Sequence, residues 1–225
     1  GLVWATYRAG RRILGREAGL LAAVLVALHP AAVAWSQTVR AYVPAAFLLI
    51  LGLPHAVALS RRATVRDGLA FGALAALACW AHYLSLMFLL VVCLWIAVCR
   101  LRDRRSLAIV AVSGFGVGAA FLPLAPFFFS DLGGKQGFGF SAGYLQSLVA
   151  FLSGWPFLLG LVPVALVLAS RPWRREATRM LFVTGASLLA LQAMTVHMVH
   201  WEPMFSLQVV SLFVLLLAAL LVRQE

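Results

Sequence analysis

Of the eighteen basic residues in this 225-residue chain, only Arg40 and Lys135 stand apart from arginine clusters. A guanidinium keeps its charge at any physiological pH, and its planar fork matches oxyanions; a lysine ammonium acts as a compact point charge. Groups able to complete a site lie beside each of them. Gln37 and Tyr42 flank Arg40, and Asp131 and Gln136 flank Lys135. His82-Tyr83 and the run His197-Met198-Val199-His200-Trp201-Glu202 add imidazoles, a phenol and a further carboxylate. Asp131 and Glu202 are residue types that can take a proton as general bases. His197 and His200, at i and i+3, share one helix face. That spacing permits a divalent metal, but no third ligand stands out, so no metal site and no cofactor is assigned.

The elements that must position these residues follow from the other sixteen basic residues, all arginine. They form short clusters between long apolar runs: Arg8, Arg11, Arg12, Arg16; Arg61, Arg62, Arg66; Arg100, Arg102, Arg104, Arg105; Arg171, Arg174, Arg175, Arg179; and Arg223. Short loops rich in arginine stay on the cytoplasmic side of a membrane. The chain is 64% hydrophobic and 11% charged, against about 25% charged in a soluble domain. A polytopic membrane protein is expected, with its net charge of +11 facing lipid headgroups rather than nucleic acid. Cys79, Cys93 and Cys99 lie in apolar runs without ligand spacing and read as small buried side chains.

With the clusters fixed inside, the runs place themselves. Gly1 to Tyr7 reads as the end of a helix that began upstream. Leu20 to Trp35 goes outward and Ala41 to Ser60 returns. Gly68 to Arg100 lies between two inner clusters, so it crosses an even number of times. At 1.5 Å per residue it makes about 50 Å of helix, long for one span and short for two. A tight hairpin with its tip near Trp80 to Tyr83 is expected, a re-entrant pair being the alternative. Ser106 to Phe127 goes out, and a glycine-rich outer loop runs from Phe128 to about Gly143. Tyr144 to Leu152 reads as an interfacial helix. Gly154 to Ser170, Met180 to His200 and Met204 to Val222 complete about eight crossings plus the N-terminal stub. The expectation is an all-α transmembrane bundle, residues 1–225 forming one domain, with no repeat.

On this topology Arg40, Lys135, Asp131, Glu202 and four of the five histidines, His29 among them, gather at the outer rim. Ionisable groups at membrane depth are costly and usually line a site. Each has a plainer explanation. Arg40 could snorkel to headgroups, and Tyr42, Trp80, Tyr83 and Trp201 could form an aromatic belt. His82 could cap a helix, and Asp131 and Lys135 could be solvated loop charges. The gathering on one side, rather than any single residue, points to a site.

The stretches Gly15-Arg16-Glu17-Ala18-Gly19-Leu20-Leu21-Ala22-Ala23, Leu28-His29-Pro30 and Ser36-Gln37-Thr38-Val39-Arg40-Ala41-Tyr42 resemble a series found in GT-C membrane glycosyltransferases. The nearest branch is glycosyltransferase family 39, the protein mannosyltransferase and aminoarabinose transferase group. Ala81-His82-Tyr83 stands where that family has a Thr-or-Lys, His, Tyr signature, and Gly134-Lys135-Gln136-Gly137-Phe138 is similar to its outer loop. The likeness spans most of the chain and is strongest from Gly15 to about Trp95. Thr38 replaces the usual glutamate, and Met204-Phe205 replaces a common Arg-Tyr.

The resemblance implies an integral enzyme of the bacterial inner or plasma membrane. It would transfer a sugar from a polyprenyl-phosphate donor to a glycan, lipid or protein acceptor on the extracytoplasmic face. Arg40 would contact the donor phosphate and Lys135 would close over it. His82 and Tyr83 would donate to the phosphate or hold the sugar, with Gln37, Tyr42 and Gln136 around them. The family's catalytic aspartate lies in the first outer loop, which would precede Gly1. The chain is therefore expected to be a piece lacking its first helix and general base, and inactive alone, unless Asp131 or Glu202 serves. A flippase-like permease and a non-catalytic membrane scaffold are the rival functions. A permease calls for charges in broken helices at mid-membrane and an internal repeat.

Overall fold

A computed structural model describes residues 1–37, 41–62, 64–83, 85–100, 102–126 and Val214, Leu215 and Ala218. Among these the chain is all-helical. The helices are α1 (Leu2–Leu14), α2 (Arg16–Leu28), α3 (Pro30–Ser36), α4 (Tyr42–Arg61), α5 (Val65–Ala81), α6 (Ser85–Cys99) and α7 (Arg104–Phe121), the last followed by a 3₁₀ turn, Leu122–Leu124. α4 and the segment Arg104–Leu124 are long and apolar enough to cross a membrane. The outer loop and the runs expected over Tyr144 to Val222 lie outside the described residues, apart from three buried positions, Val214, Leu215 and Ala218.

The boundaries follow local chemistry. α1 does not stop near Tyr7 but continues through the first arginines to Leu14. Arginine is a good helix former, and Arg8, Arg11 and Arg12 lie on the exposed face, while Leu2, Ala5, Ala9 and Leu14 are buried. Gly15, at φ 105°, then turns the chain into α2. The run Leu20 to Trp35 is two helices rather than one. Pro30 disfavours helical backbone at the residue before it, so His29 is extended and α3 begins at Pro30. Thr64 caps α5 by accepting from the Asp67 amide at 3.1 Å, and Asp103 caps α7 by accepting from the Ser106 amide at 3.3 Å.

The run Gly68 to Arg100 forms two helices, α5 and α6, of 17 and 15 residues, with a turn near the expected tip; neither is among the helices long and apolar enough to cross a membrane. These give about 25 and 22 Å of helix, joined at His82-Tyr83. Contacts between neighbouring helices fix the direction of each. Trp80 Nε1 donates to the Ala120 carbonyl at 2.8 Å, so α5 and α7 end together. Arg100 Nε reaches the Leu59 carbonyl at 3.4 Å, so α6 returns to the end where α4 finishes. Trp4 lies 6.5 Å from Phe47, and Arg12 shares a cleft with His55, so α1 runs alongside α4. One end of the bundle thus collects the three described arginine clusters; the other collects Gln37, Tyr42, His82 and Tyr83.

α4 is the centre, packed against α1, α5 and α6, with Leu49, Ile50, Leu53 and Leu59 buried. Cys79 is buried and Cys93 half-buried, but Cys99, at the last residue of α6, is exposed rather than buried as expected; none forms a disulfide.

Small residues let backbones touch. A Cβ added to Gly19 would lie 2.6 Å from the Arg11 nitrogen and 2.9 Å from the Tyr7 carbonyl oxygen. Backbone atoms cannot move aside as a flexible side chain can. Gly19→Ala is therefore expected to lower stability by about 1–3 kcal/mol, read from thermal unfolding in detergent. Gly116→Ala, which meets nothing within 4 Å, should be neutral or slightly stabilising. Equal losses at both positions would contradict the close α1–α2 packing.

Candidate functional site

At the end opposite the arginines, α4 begins where α5 gives way to α6. Tyr42, the first residue of α4, is half-buried, and its ring centroid lies 4.9 Å from that of His82 at a tilt of 37°. His82 in turn lies 5.4 Å from Tyr83. Both separations suit attractive ring packing. The tip is tied down by its backbone: His82 N–H donates to the Ala78 carbonyl at 2.8 Å, Ser85 to His82 at 2.9 Å, and Leu86 to Tyr83 at 3.0 Å. Tyr42 is thus brought to His82 and Tyr83, forty residues on in the sequence. Gln37 sits in the exposed turn after α3, on the same side. Arg40, Asp131, Lys135, Gln136 and Glu202, like His197 and His200, lie outside the described residues. Among the described residues no three His, Cys, Asp or Glu side chains gather as a metal site.

An apolar groove of about 350 Å³ starts beside this tip. Leu86 and Gly118 line it at the tip end, Leu90 and Gly114 further in, and Phe71, Cys93 and Ser113 furthest from the tip. A Cβ at Gly114 or Gly118 would meet nothing within 4 Å. The two glycines keep the groove open rather than making a close helix contact.

No protein-family model, curated protein or solved structure matches the chain.

The opposite end holds a constellation that sequence reasoning missed. His55 Nδ1 lies 2.8 Å from Asp67 Oδ1, and Thr64 donates its hydroxyl to Asp67 Oδ2 at 2.6 Å. His55 is the one histidine away from the expected outer rim. A histidine inside an apolar run, directly after Pro54, was the available signal. Its partner lies twelve residues on, across a helix turn, and no sequence period links them.

Burial at the tip pushes the His82 imidazole down from 6.5 to about 4, because surrounding protein disfavours the charged ring. His82 should therefore be neutral at pH 7, able to donate from one nitrogen and accept at the other. Its folded value lies below its unfolded value, so an unfolded chain takes up the proton first on acidification. The stability this group contributes is complete above about 6.5 and declines as pH falls toward 4. A histidine-selective NMR titration is expected to show His82 protonating near pH 4, and His82→Phe should flatten the acid limb of the stability profile. A midpoint near 6.5 would contradict the burial.

Proposed function

We propose that the chain is the membrane core of an integral glycosyltransferase that uses a polyprenyl-phosphate sugar donor on the extracytoplasmic face. Membrane placement is supported by helices that are apolar on the outside. Leu69, Val98, Val112 and Phe115 are each more than 60% exposed, and such a surface is suited to lipid rather than water. Sidedness is supported by the collection of arginines at one end. The observation that favours an enzyme of this class is the cluster of Tyr42, His82 and Tyr83 at the arginine-poor end, with an apolar groove whose nearest lining residue, Leu86, follows Tyr83 by three positions, about one helical turn. An amphipathic donor needs both: polar side chains for the sugar phosphate, and an apolar channel for its isoprenoid tail.

The chemistry asked of the site is displacement at the anomeric carbon. An acceptor hydroxyl oxygen forms the new bond, and its proton passes to a carboxylate. The bond from carbon to phosphate oxygen breaks, and the lipid phosphate leaves with the electron pair. Fixed cations and donors aimed at the leaving oxygen lower the barrier. Arg40, two residues before Tyr42, is assigned to that phosphate, since it binds bidentately and stays charged. Lys135 and Gln136 are assigned to the loop that closes over it, and Gln37, His82 and Tyr83 to the sugar and phosphate oxygens.

Arg40→Ala in the intact protein should abolish transfer from a lipid-phosphate sugar while leaving thermal unfolding unchanged. Gly118→Leu, which fills the groove mouth, should raise KM for a long-chain donor and leave a short-chain analogue unaffected. Unchanged turnover in Arg40→Ala would remove the role given to that residue, and equal effects of Gly118→Leu on both donors would remove the groove from the donor site.

A further inference from the structure

We propose that the cleft between α1 and α4, at the arginine-rich end, binds the phosphate of an anionic phospholipid, with an acyl chain lying along its apolar wall. This site lies toward the arginine-rich half of α4, with His55 thirteen residues, about 20 Å of helix, from Tyr42 of the proposed donor site. It depends on the membrane placement but not on any transferase activity.

The cleft encloses about 180 Å³, and its lining divides by chemistry along its length. Arg8 and Arg12, one helical turn apart, present two guanidiniums to it, and His55 stands opposite on α4. Trp4, Leu51 and Leu74 form the part further from the arginine end. Arg8 holds its guanidinium 5.2 Å from the Trp4 ring centroid. Stacking uses the face of the guanidinium and leaves its N–H edge free for oxygen atoms. His55 is oriented rather than loose. The Asp67 carboxylate only accepts hydrogen bonds, so the proton of the 2.8 Å contact resides on His55 Nδ1.

No carboxylate lines this cleft, and no described carboxylate lies within ion-pair distance of Arg8 or Arg12. Asp67 is close enough for its charge to feel Arg12, but its oxygens are engaged by His55 and Thr64. Arg8 therefore faces the cleft without a described counter-ion, and Arg12 has only the Asp67 charge, beyond ion-pair distance. Phosphate diesters supply one, and the cytoplasmic leaflet is rich in anionic lipids; basic pockets between helices on that side suit such headgroups. Free inorganic phosphate would match the arginines equally but would leave Trp4, Leu51 and Leu74 uncovered. The apolar wall is what selects the lipid.

The test uses the intact protein in phosphatidylcholine nanodiscs with and without phosphatidylglycerol, and in detergent with added inorganic phosphate. Retained lipid is read by native mass spectrometry and stability by thermal unfolding. Wild-type protein is expected to retain phosphatidylglycerol and be stabilised by it, with no response to inorganic phosphate. Arg8→Gln combined with Arg12→Gln should weaken phosphatidylglycerol binding by about thirtyfold, at roughly 1 kcal/mol per arginine. Unfolding in pure phosphatidylcholine should stay unchanged, which separates lost binding from a lost fold. Arg62→Gln, at the same end but outside the cleft, should bind as wild type does. Equal retention by the double variant would overturn the site. So would an equal loss in Arg62→Gln, which would indicate the summed surface charge, and an equal stabilisation by inorganic phosphate would overturn the lipid assignment. Transfer activity is not read in any arm, so failure here leaves the proposed reaction untouched.

Discussion

A guanidinium is expensive to carry into hydrocarbon, at no less than about 2.5–3.5 kcal/mol at the centre of a membrane helix. Three clusters of them, each next to a helix end, constrain the bundle more than any single contact does. Arg11, Arg12, Arg61, Arg62, Arg102, Arg104 and Arg105 are all exposed and share one end of the molecule. Once that end is fixed, every helix direction among the described residues follows. So does the meeting of Tyr42 with His82 at the far end. The same constraint sets the two polar constellations about 20 Å apart along α4, measured from Tyr42 to His55.

With the membrane placement proposed above, the usual driving force is weak, because lipid tails are as apolar as leucine. Close packing and internal hydrogen bonds must hold the helices together. Gly10 and Gly19 bring α1 and α2 within backbone contact, and Gly68 faces Ile109 and Ser113 of α7. The Ser113 hydroxyl lies 2.8 Å from the Ile109 carbonyl and 3.1 Å from the Gly68 carbonyl, so one proton serves two acceptors. Trp80 ties the far end of the same helix pair. α6 and α7 have no comparable glycine contact between them, and it is there that the apolar groove opens. Tight and loose seams thus alternate around the bundle, and the loose one leads to the polar tip.

Charge placement and chain length made much of this legible in the sequence. The turn near His82, the helix ending at Arg61 and the helix beginning at Arg104 lie where the arginine clusters and the lengths of the apolar runs between them placed helix ends. Other features escaped because they depend on atoms distant in sequence. The arginines of α1 read as a loop, yet they lie on the exposed face of a continuing helix, and an exposed arginine does not interrupt one. The break at His29 came from Pro30, a local steric effect set inside an otherwise unbroken apolar run. The pairing of His55 with Asp67, and the cleft that Trp4, Arg8 and Arg12 form against α4, required the helix register. No spacing along the chain encodes it.

Opposite sidedness of the two polar ends is the central claim, and accessibility in intact cells tests it most directly. Single cysteines at positions 37, 83, 62 and 102, introduced after replacing Cys79, Cys93 and Cys99, would be exposed to a membrane-impermeant maleimide. Positions 37 and 83 are expected to label from outside, and positions 62 and 102 only after permeabilisation. Labelling of 37 and 62 from the same side would contradict the account.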